Sequence, residues 1–193
     1  MKIVSFTKMS DGTAEEYEFL DKLEQKFIQD LPNKLIKALA KLEHSLSGYQ
    51  ISRLDHVLQS ATRALNAGES DQMIVAALLH DIGDDLAPYS HSEMAAAILK
   101  PFVNEEIYWV IKHHGLFQMY YYAHHTGGDR YARDQFKNHP YYDTAVHFCH
   151  EYDQKSFDPN YEAKPLSFFE PLLRRVFAKP LASDQEQQAR YGS

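Results

Sequence analysis

The chain reads as an all-α protein on three observations. Apolar residues recur at three- and four-residue steps, the period-2 alternation of strands is almost absent, and the tract Met73 to Leu79 is apolar on every face, as suits a helix enclosed by others. The first helix spans Thr13 to Asp30, with Tyr17, Leu20, Leu23, Glu24, Phe27 and Ile28 at helical steps, until Pro32 interrupts it. A second runs from about Asn33 to Ser45 and is closed by Gly48. The third, Ser52 to Leu65, stops at Asn66-Ala67-Gly68, a C-terminal cap. Asp71 can cap the fourth, whose apolar run ends in His80-Asp81. Ser90-His91-Ser92-Glu93 has capping-box spacing and opens a fifth helix that Pro101 ends. Asn104 caps a sixth, Glu105 to His114, with Gly115 as its stop. The stretch Phe117 to Lys137, rich in Tyr and His and containing Gly127-Gly128, reads as an irregular flap. Pro140 suits the first turn of a helix from Tyr141 to Tyr152. A last amphipathic helix, Ser167 to Phe177, precedes a polar tail over 181–193 that is expected to be disordered.

Composition narrows the class. The 193 residues are 44% apolar and 24% charged, with no repeat and no Gly/Ser linker, which predicts a single domain over 1–180. A chain this long buries roughly 70% of its unfolded surface, so its core needs no disulfide or zinc staple. The lone cysteine, Cys149, and the absence of a signal-like start or long apolar run predict a reducing, cytoplasmic setting away from membranes. The formal charge of −7 argues against nucleic acid as a partner. Eleven His, 13 Tyr and 11 Phe represent the side chains that ligate metals and line small-molecule pockets, and their positions decide what that abundance means.

A carboxylate at the end of an all-apolar helix must be compensated. For Asp81 the options are an Arg or Lys partner, an exposed helix end, or a metal. On the sixth helix Ile107, Val110 and Ile111 define the apolar stripe, and at about 100° per residue His114 falls at its centre while His113 points aside. Tyr142, Ala145, Val146 and Cys149 form another stripe, which Asp153 continues where an apolar residue belongs. Either residue alone fits a satisfied core histidine or a frayed helix end; together with His80-Asp81 they argue for a shared cation. Periodicity places His56 opposite the stripe of Leu54, Leu58, Ala61 and Leu65, on the surface. His91 reads equally as a solvated cap position or a ligand.

The pattern LDHxLQxAxxAxxxG from Leu54 to Gly68, followed by AALLHDIG from Ala76 to Gly83, resembles the HD-domain superfamily of metal-dependent helical proteins. The resemblance covers roughly 46–158 and implies an HD-type helical bundle with a dinuclear metal site at its centre. In order, the family's ligands fall on His56, His80, Asp81, His91, His114 and Asp153, with Asp81 as the bridge. Within that superfamily the chain resembles the mixed-valent diiron oxygenases, such as myo-inositol oxygenase and the enzymes that cleave 1-hydroxyphosphonates. The stretch HGLFQMYYYAHHTGGD and the later HEYDQKSFDP are most similar to the branch acting on (R)-1-hydroxy-2-(trimethylammonio)ethylphosphonate. That likeness implies two irons, Fe(II)/Fe(III), with dioxygen as co-substrate, and C–P cleavage to glycine betaine and phosphate in organophosphonate catabolism.

This chain departs from relatives that take the primary amine. Asp84, Gln118 and His150 stand where those carry basic groups, and Leu46 and Tyr49 replace their Tyr and Glu. A quaternary ammonium cannot donate a hydrogen bond, so aromatic faces and diffuse negative charge should recognise it. Tyr49, Tyr120, Tyr121, Tyr122 and Asp84 are the candidates for that end, although consecutive tyrosines cannot all face one pocket. Gln118, His125, Thr126 and His150 are the candidates for the phosphonate. Arg130 and Arg133 either assist or are solvated. The rival reading is a phosphohydrolase of the same fold, acting on a nucleotide or phosphomonoester through a metal-bound hydroxide, with the same ligands. A helical binding module without metal is the third.

Overall fold

The structure is a computed structural model and describes residues 2–181; the predicted tail lies outside the described residues, apart from Leu181. The helices are α1 (Ala14–Gln29), α2 (Leu31–Lys41), α3 (Arg53–Asn66), α4 (Asp71–Leu79), α5 (His91–Leu99), α6 (Glu105–Tyr122), α7 (Tyr142–Phe148) and α8 (Leu166–Val176), and no strand occurs among the described residues. No helix among them is long and apolar enough to cross a membrane.

Local chemistry sets most of these boundaries. Thr13 and Glu16 form a capping box at the start of α1, and Ser52 and Asp55 form another at α3. At the end of α3 the amide of Gly68 donates to Leu65 and that of Glu69 to Ala64. This is a Schellman closure, and it requires the left-handed φ of 77° that Gly68 adopts. Helix α4 is buried from Met73 through Leu79, as its unbroken apolar run predicts, and packs against α3 and α8. The cap at α4 is Ser70, whose Oγ accepts from the Met73 amide, while Asp71 pairs with Arg175 instead. Ser90 precedes α5 without capping it through its side chain, because its ψ of 33° departs from the extended backbone that an N-cap uses.

Two larger corrections concern the second half. Gly115 does not stop α6, which runs about five turns from its Asn104 cap through Gly115 to Tyr122. The glycine serves close approach: a Cβ there would lie 2.8 Å from Ser92 Oγ and 3.5 Å from the His91 ring, so α5 and α6 meet at this point. The expected flap is therefore helical as far as Tyr122 and continues as short 3-10 turns at Ala123–Thr126 and Ala132–Phe136. Secondly, the helix after Pro140 widens into a π turn over Cys149–Asp153, closed by the Gln154 amide on the Cys149 carbonyl. Such single π turns recur at functional sites because they re-aim a side chain within a packed helix.

The core is a continuous cluster contributed by α2 to α8, with Leu39, Val57, Leu79, Leu99, Val110, Phe117, Phe148 and Phe169 buried within it. His56 lies in this interior, contrary to its place on the helical wheel. The opposite side of α3 is covered by the π turn and the segment after it, through polar contacts. Gln59 exchanges hydrogen bonds with the backbone of Asp158, Ser60 donates to the Tyr152 carbonyl, and Thr62 accepts from the Lys164 amide. A polar helix face can be buried when each of its groups is matched in this way.

Candidate metal centre

Helices α3, α4, α5 and α6 and the π turn each deliver ligand-type groups to one point. The ring of His56 comes from α3, His80 and Asp81 from the end of α4, His91 from the first position of α5, His114 from mid-α6 and Asp153 from the π turn. His56, His80, Asp81, His114 and Asp153 are buried, and His91 is partly exposed toward the cavity. His113 turns away, as its wheel position predicts: its Nδ1 donates to the Trp109 carbonyl and its ring lies against Trp109 and Phe136.

The two oxygens of Asp81 divide the groups into two sets. Oδ2 stands 3.2 Å from His56 Nε2 and 3.2 Å from His80 Nε2, and Asp153 Oδ1 lies 3.3 Å from His56 Nε2. Oδ1 stands 3.3 Å from His114 Nε2 and 3.5 Å from His91 Nε2. Ligands about 2.1 Å from a shared ion and at right angles would be about 3 Å apart, so these separations suit two ions joined by one carboxylate.

The tautomers point the same way. Nδ1 of His56 bonds the Ser156 carbonyl at 2.8 Å, that of His80 the Ala77 carbonyl at 2.8 Å, and that of His114 the Ile111 carbonyl at 2.7 Å. A carbonyl only accepts, so each Nδ1 carries the proton and each neutral ring turns the lone pair of Nε2 inward. His56 Nε2 and His80 Nε2 then face one another at 3.1 Å. Acceptors this close need a proton or a cation between them. Without an ion, burial disfavours an imidazolium at His56 and His80, but Asp81 and Asp153 outweigh it and raise both pKa values. Reciprocally, burial opposes ionisation of the two carboxyls, but His80, His56 and, at Asp81, His114 hold them well below the ordinary range. The donors are nitrogen and oxygen; the buried Cys149 thiol is kept protonated by desolvation and turns to the His114 carbonyl. The buried His and Asp groups fit a dinuclear metal site, and their chemistry suits iron or manganese better than a thiolate-rich zinc site.

A cavity of about 520 Å³ opens beside this centre. Of the residues singled out for substrate, Tyr49, Asp84, Gln118, Tyr121 and Tyr122 line it. Gln118 donates from Nε2 to Asp153 Oδ1 at 3.0 Å, and its buried Oε1 has no protein partner among the described residues. Tyr120, His125, Thr126 and His150 stand outside the lining. Tyr120 lies beneath the guanidinium of Arg133, which is buried, and the His125 ring leans on His124. Thr126 bonds the Ala123 carbonyl, and the exposed His150 pairs its Nδ1 with the Tyr121 hydroxyl at 3.1 Å. Tyr120 lies on the same extension of α6 past Gly115 as Gln118, Tyr121 and Tyr122, but its ring meets Arg133 where their side chains meet the cavity.

Among the lining residues that the sequence did not single out, two touch the groups of the centre. Phe157 stacks on the His56 ring at 4.3 Å between centroids and meets Tyr49 at 5.1 Å. Arg53 bonds Asp84 Oδ2 through Nε at 2.8 Å and reaches Asp81 Oδ2 through Nη2. The arginine partner considered for Asp81 thus exists alongside the histidines. A signal for it was available, since Arg53 sits three residues before His56 and therefore on the same side of α3.

One prediction separates the neighbouring histidines of α6. His113→Ala should leave the metal content at its wild-type level, whereas His114→Ala should release the ion of the set facing Asp81 Oδ1. Elemental analysis of iron-loaded protein reads both.

Comparison with known proteins agrees with this geometry. The HD-domain family matches residues 53–153, a little over half of the chain and the stretch that carries all six of the groups gathered at the centre. A protein of Leisingera caerulea named [1-hydroxy-2-(trimethylamino)ethyl]phosphonate dioxygenase (glycine-betaine-forming) is 33% identical over 78 residues. The alignment takes in 35% of this chain and 40% of that protein, so the match spans about two-fifths of the relative's length.

Proposed function

Because this chain belongs to the HD-domain family and gathers that family's kind of metal-binding groups, we propose that it is an O2-dependent diiron oxygenase. Its substrate in this reading is a 1-hydroxyphosphonate, foremost (R)-1-hydroxy-2-(trimethylammonio)ethylphosphonate, converted with one O2 to glycine betaine and phosphate. The observation that carries the dinuclear part of the reading is the second set of groups: His91 and His114 face Asp81 Oδ1 and could hold an ion there, where a mononuclear site would need only the first set. Both sets serve a hydrolase equally, so the choice of oxygen chemistry rests on the partial likeness to the Leisingera caerulea dioxygenase, which also supports the choice of substrate.

A mixed-valent iron pair would supply the redox chemistry of C–P cleavage and open positions for substrate and O2. The chain's own residues do the rest. Backbone carbonyls lock the three buried imidazoles in one tautomer, so that no ring must reorganise when an ion or substrate arrives. Gln118 holds Asp153 Oδ1 by a hydrogen bond and keeps the carboxylate aimed at His56. In the lining of the cavity Tyr49, Phe157, Tyr121 and Tyr122 present aromatic surface. Each ring face meeting a quaternary ammonium is worth on the order of 0.5–2 kcal/mol, and such contacts require no hydrogen-bond donor from the substrate.

The test is oxygen uptake by iron-loaded, partly reduced protein across 1-hydroxyphosphonates with none to three N-methyl groups. The expected result is one O2 consumed per phosphate released, with turnover highest for the trimethylated compound. Phosphate released without oxygen and with Mn(II) alone, from a phosphomonoester or nucleotide, would overturn the oxygenase and establish the hydrolase.

A further inference from the structure

Sequence reasoning left the substrate's anionic end to Gln118, His125, Thr126 and His150, and three of these lie outside the cavity lining. The cavity does contain one strong cation. Arg53 is the only Lys or Arg lining it among the described residues, and its side chain is only 11% exposed. A buried guanidinium of this kind needs a reason, because its desolvation is repaid only by close anionic partners.

Two carboxylates hold it at present. Asp84 Oδ2 accepts from Nε at 2.8 Å and lies 2.7 Å from Nη2, an anchor on one edge of the fork. The other partner is Asp81, and the oxygen used is Oδ2, the one that faces His56 and His80. No protein acceptor meets Nη1 among the described residues. The two claims on Asp81 Oδ2 conflict. An ion seated among His56, His80 and Asp153 takes that oxygen's electron density and repels a guanidinium beside it. Asp84 lies outside the ligand sets and keeps its grip on Nε. Loading the centre therefore leaves a tethered arginine with an unpaired edge in the same cavity as the metals.

We propose that Arg53 is the anion-binding residue of this cavity: anchored by Asp84, it exchanges Asp81 for an oxygen of the substrate's phosphonate once the centre holds metal. The planar fork of arginine suits two oxygens of one tetrahedral anion, which a point charge such as lysine does not reproduce. The same exchange makes anion affinity depend on metal loading, since in the metal-free protein Asp81 competes for the guanidinium. The proposal takes its anion from the phosphonate reading, yet any substrate with a phosphoryl end would use the same fork.

Inorganic phosphate, a product common to both chemistries, is the probe. Calorimetric titration of the protein loaded with Mn(II) in the absence of oxygen should show phosphate binding. Arg53→Ala should weaken it by about 10- to 100-fold, the size expected for a lost charge-assisted hydrogen bond, with metal content per chain unchanged. Arg53→Lys should fall between the two. Wild-type phosphate affinity in Arg53→Ala would overturn the proposal. So would loss of metal from that variant, because the arginine would then serve Asp81 rather than the anion. If the alanine protein does not fold, as judged by its helical circular dichroism, Arg53→Lys carries the test, and unchanged affinity there overturns the assignment. The outcome is separable from the oxygenase reading: dependence on Arg53 without any oxygen uptake removes the oxygenase and keeps the arginine, and oxygen-dependent turnover with phosphate binding indifferent to Arg53 does the reverse.

Discussion

Asp81→Ala should strip both ions from the centre, whereas His91→Ala should leave one. The difference follows from the partition of the carboxylate: Oδ2 belongs with His56, His80 and Asp153, and Oδ1 with His91 and His114. Deleting Asp81 takes an anionic ligand from each set at once. Outer partners of metal ligands already cost about 10- to 100-fold in affinity when removed, so loss of a bridging ligand should exceed about 100-fold at both positions. His91→Ala leaves the first set whole. Asp81→Asn is the sharper comparison, because the amide keeps the shape and a carbonyl oxygen but presents no charge. Elemental analysis after loading and desalting reads all three proteins. If Asp81→Ala and His91→Ala lose the same amount of metal, the bridge does not exist. The fold itself should survive either change, since Arg53 keeps Asp84 and the core clusters around Val57, Leu79 and Val110 are untouched.

The elements of this site differed in how plainly they could be read from the sequence. Asp81 and His114 were visible as violations of pattern, a carboxylate closing an all-apolar helix and a histidine on an apolar stripe; both are buried and turned inward. His56 was hidden. Its burial comes from an irregular segment 100 residues later in the chain, whose Ser156 carbonyl bonds the ring, and helical periodicity carries no trace of such a long-range cover. Asp153 was found by extending an α-helical stripe, but the chain reaches that position through a π turn, for which Cys149 to Asp153 offer no compositional signal. Gly115 misled because glycine is read as a helix stop. What selects it here is the crossing of α5 and α6, a tertiary fact. Tyr120, His125 and Thr126 were candidates by residue type alone, and none of them lines the cavity, whereas Gln118, Tyr121 and Tyr122 from the same stretch do. The bridge itself is legible only in three dimensions, because no sequence pattern states which oxygen of a carboxylate faces which ring.

Gly83→Ala should damage the second set almost selectively. A Cβ at this position would lie 2.9 Å from the carbonyl oxygen of His91, 3.0 Å from its Cα and 3.2 Å from the Cβ of Met94. Two of those atoms belong to backbone and cannot turn aside, so the first turn of α5 must move. His91 is the first residue of α5 and rides on that turn. The φ of Gly83 is not positive, so the cost is the collision itself and not a backbone conformation forbidden to alanine. Overpacking of this kind costs about 1–3 kcal/mol, which for a chain of this size lowers the melting temperature by about 3–10 °C. The expected metal content is close to that of His91→Ala, with the ion held by His56, His80 and Asp153 retained. Gly115→Ala supplies the internal comparison. Its new Cβ would meet Ser92 Oγ at 2.8 Å, but a hydroxyl can rotate away, and the His91 ring atoms lie at an ordinary 3.5 Å. It should therefore cost less stability and less metal. Thermal unfolding and metal content measured on both variants decide the matter: two ions per chain and an unchanged melting temperature in Gly83→Ala would mean that α5 yields freely, and that the glycine after the His-Asp pair does not set where His91 stands.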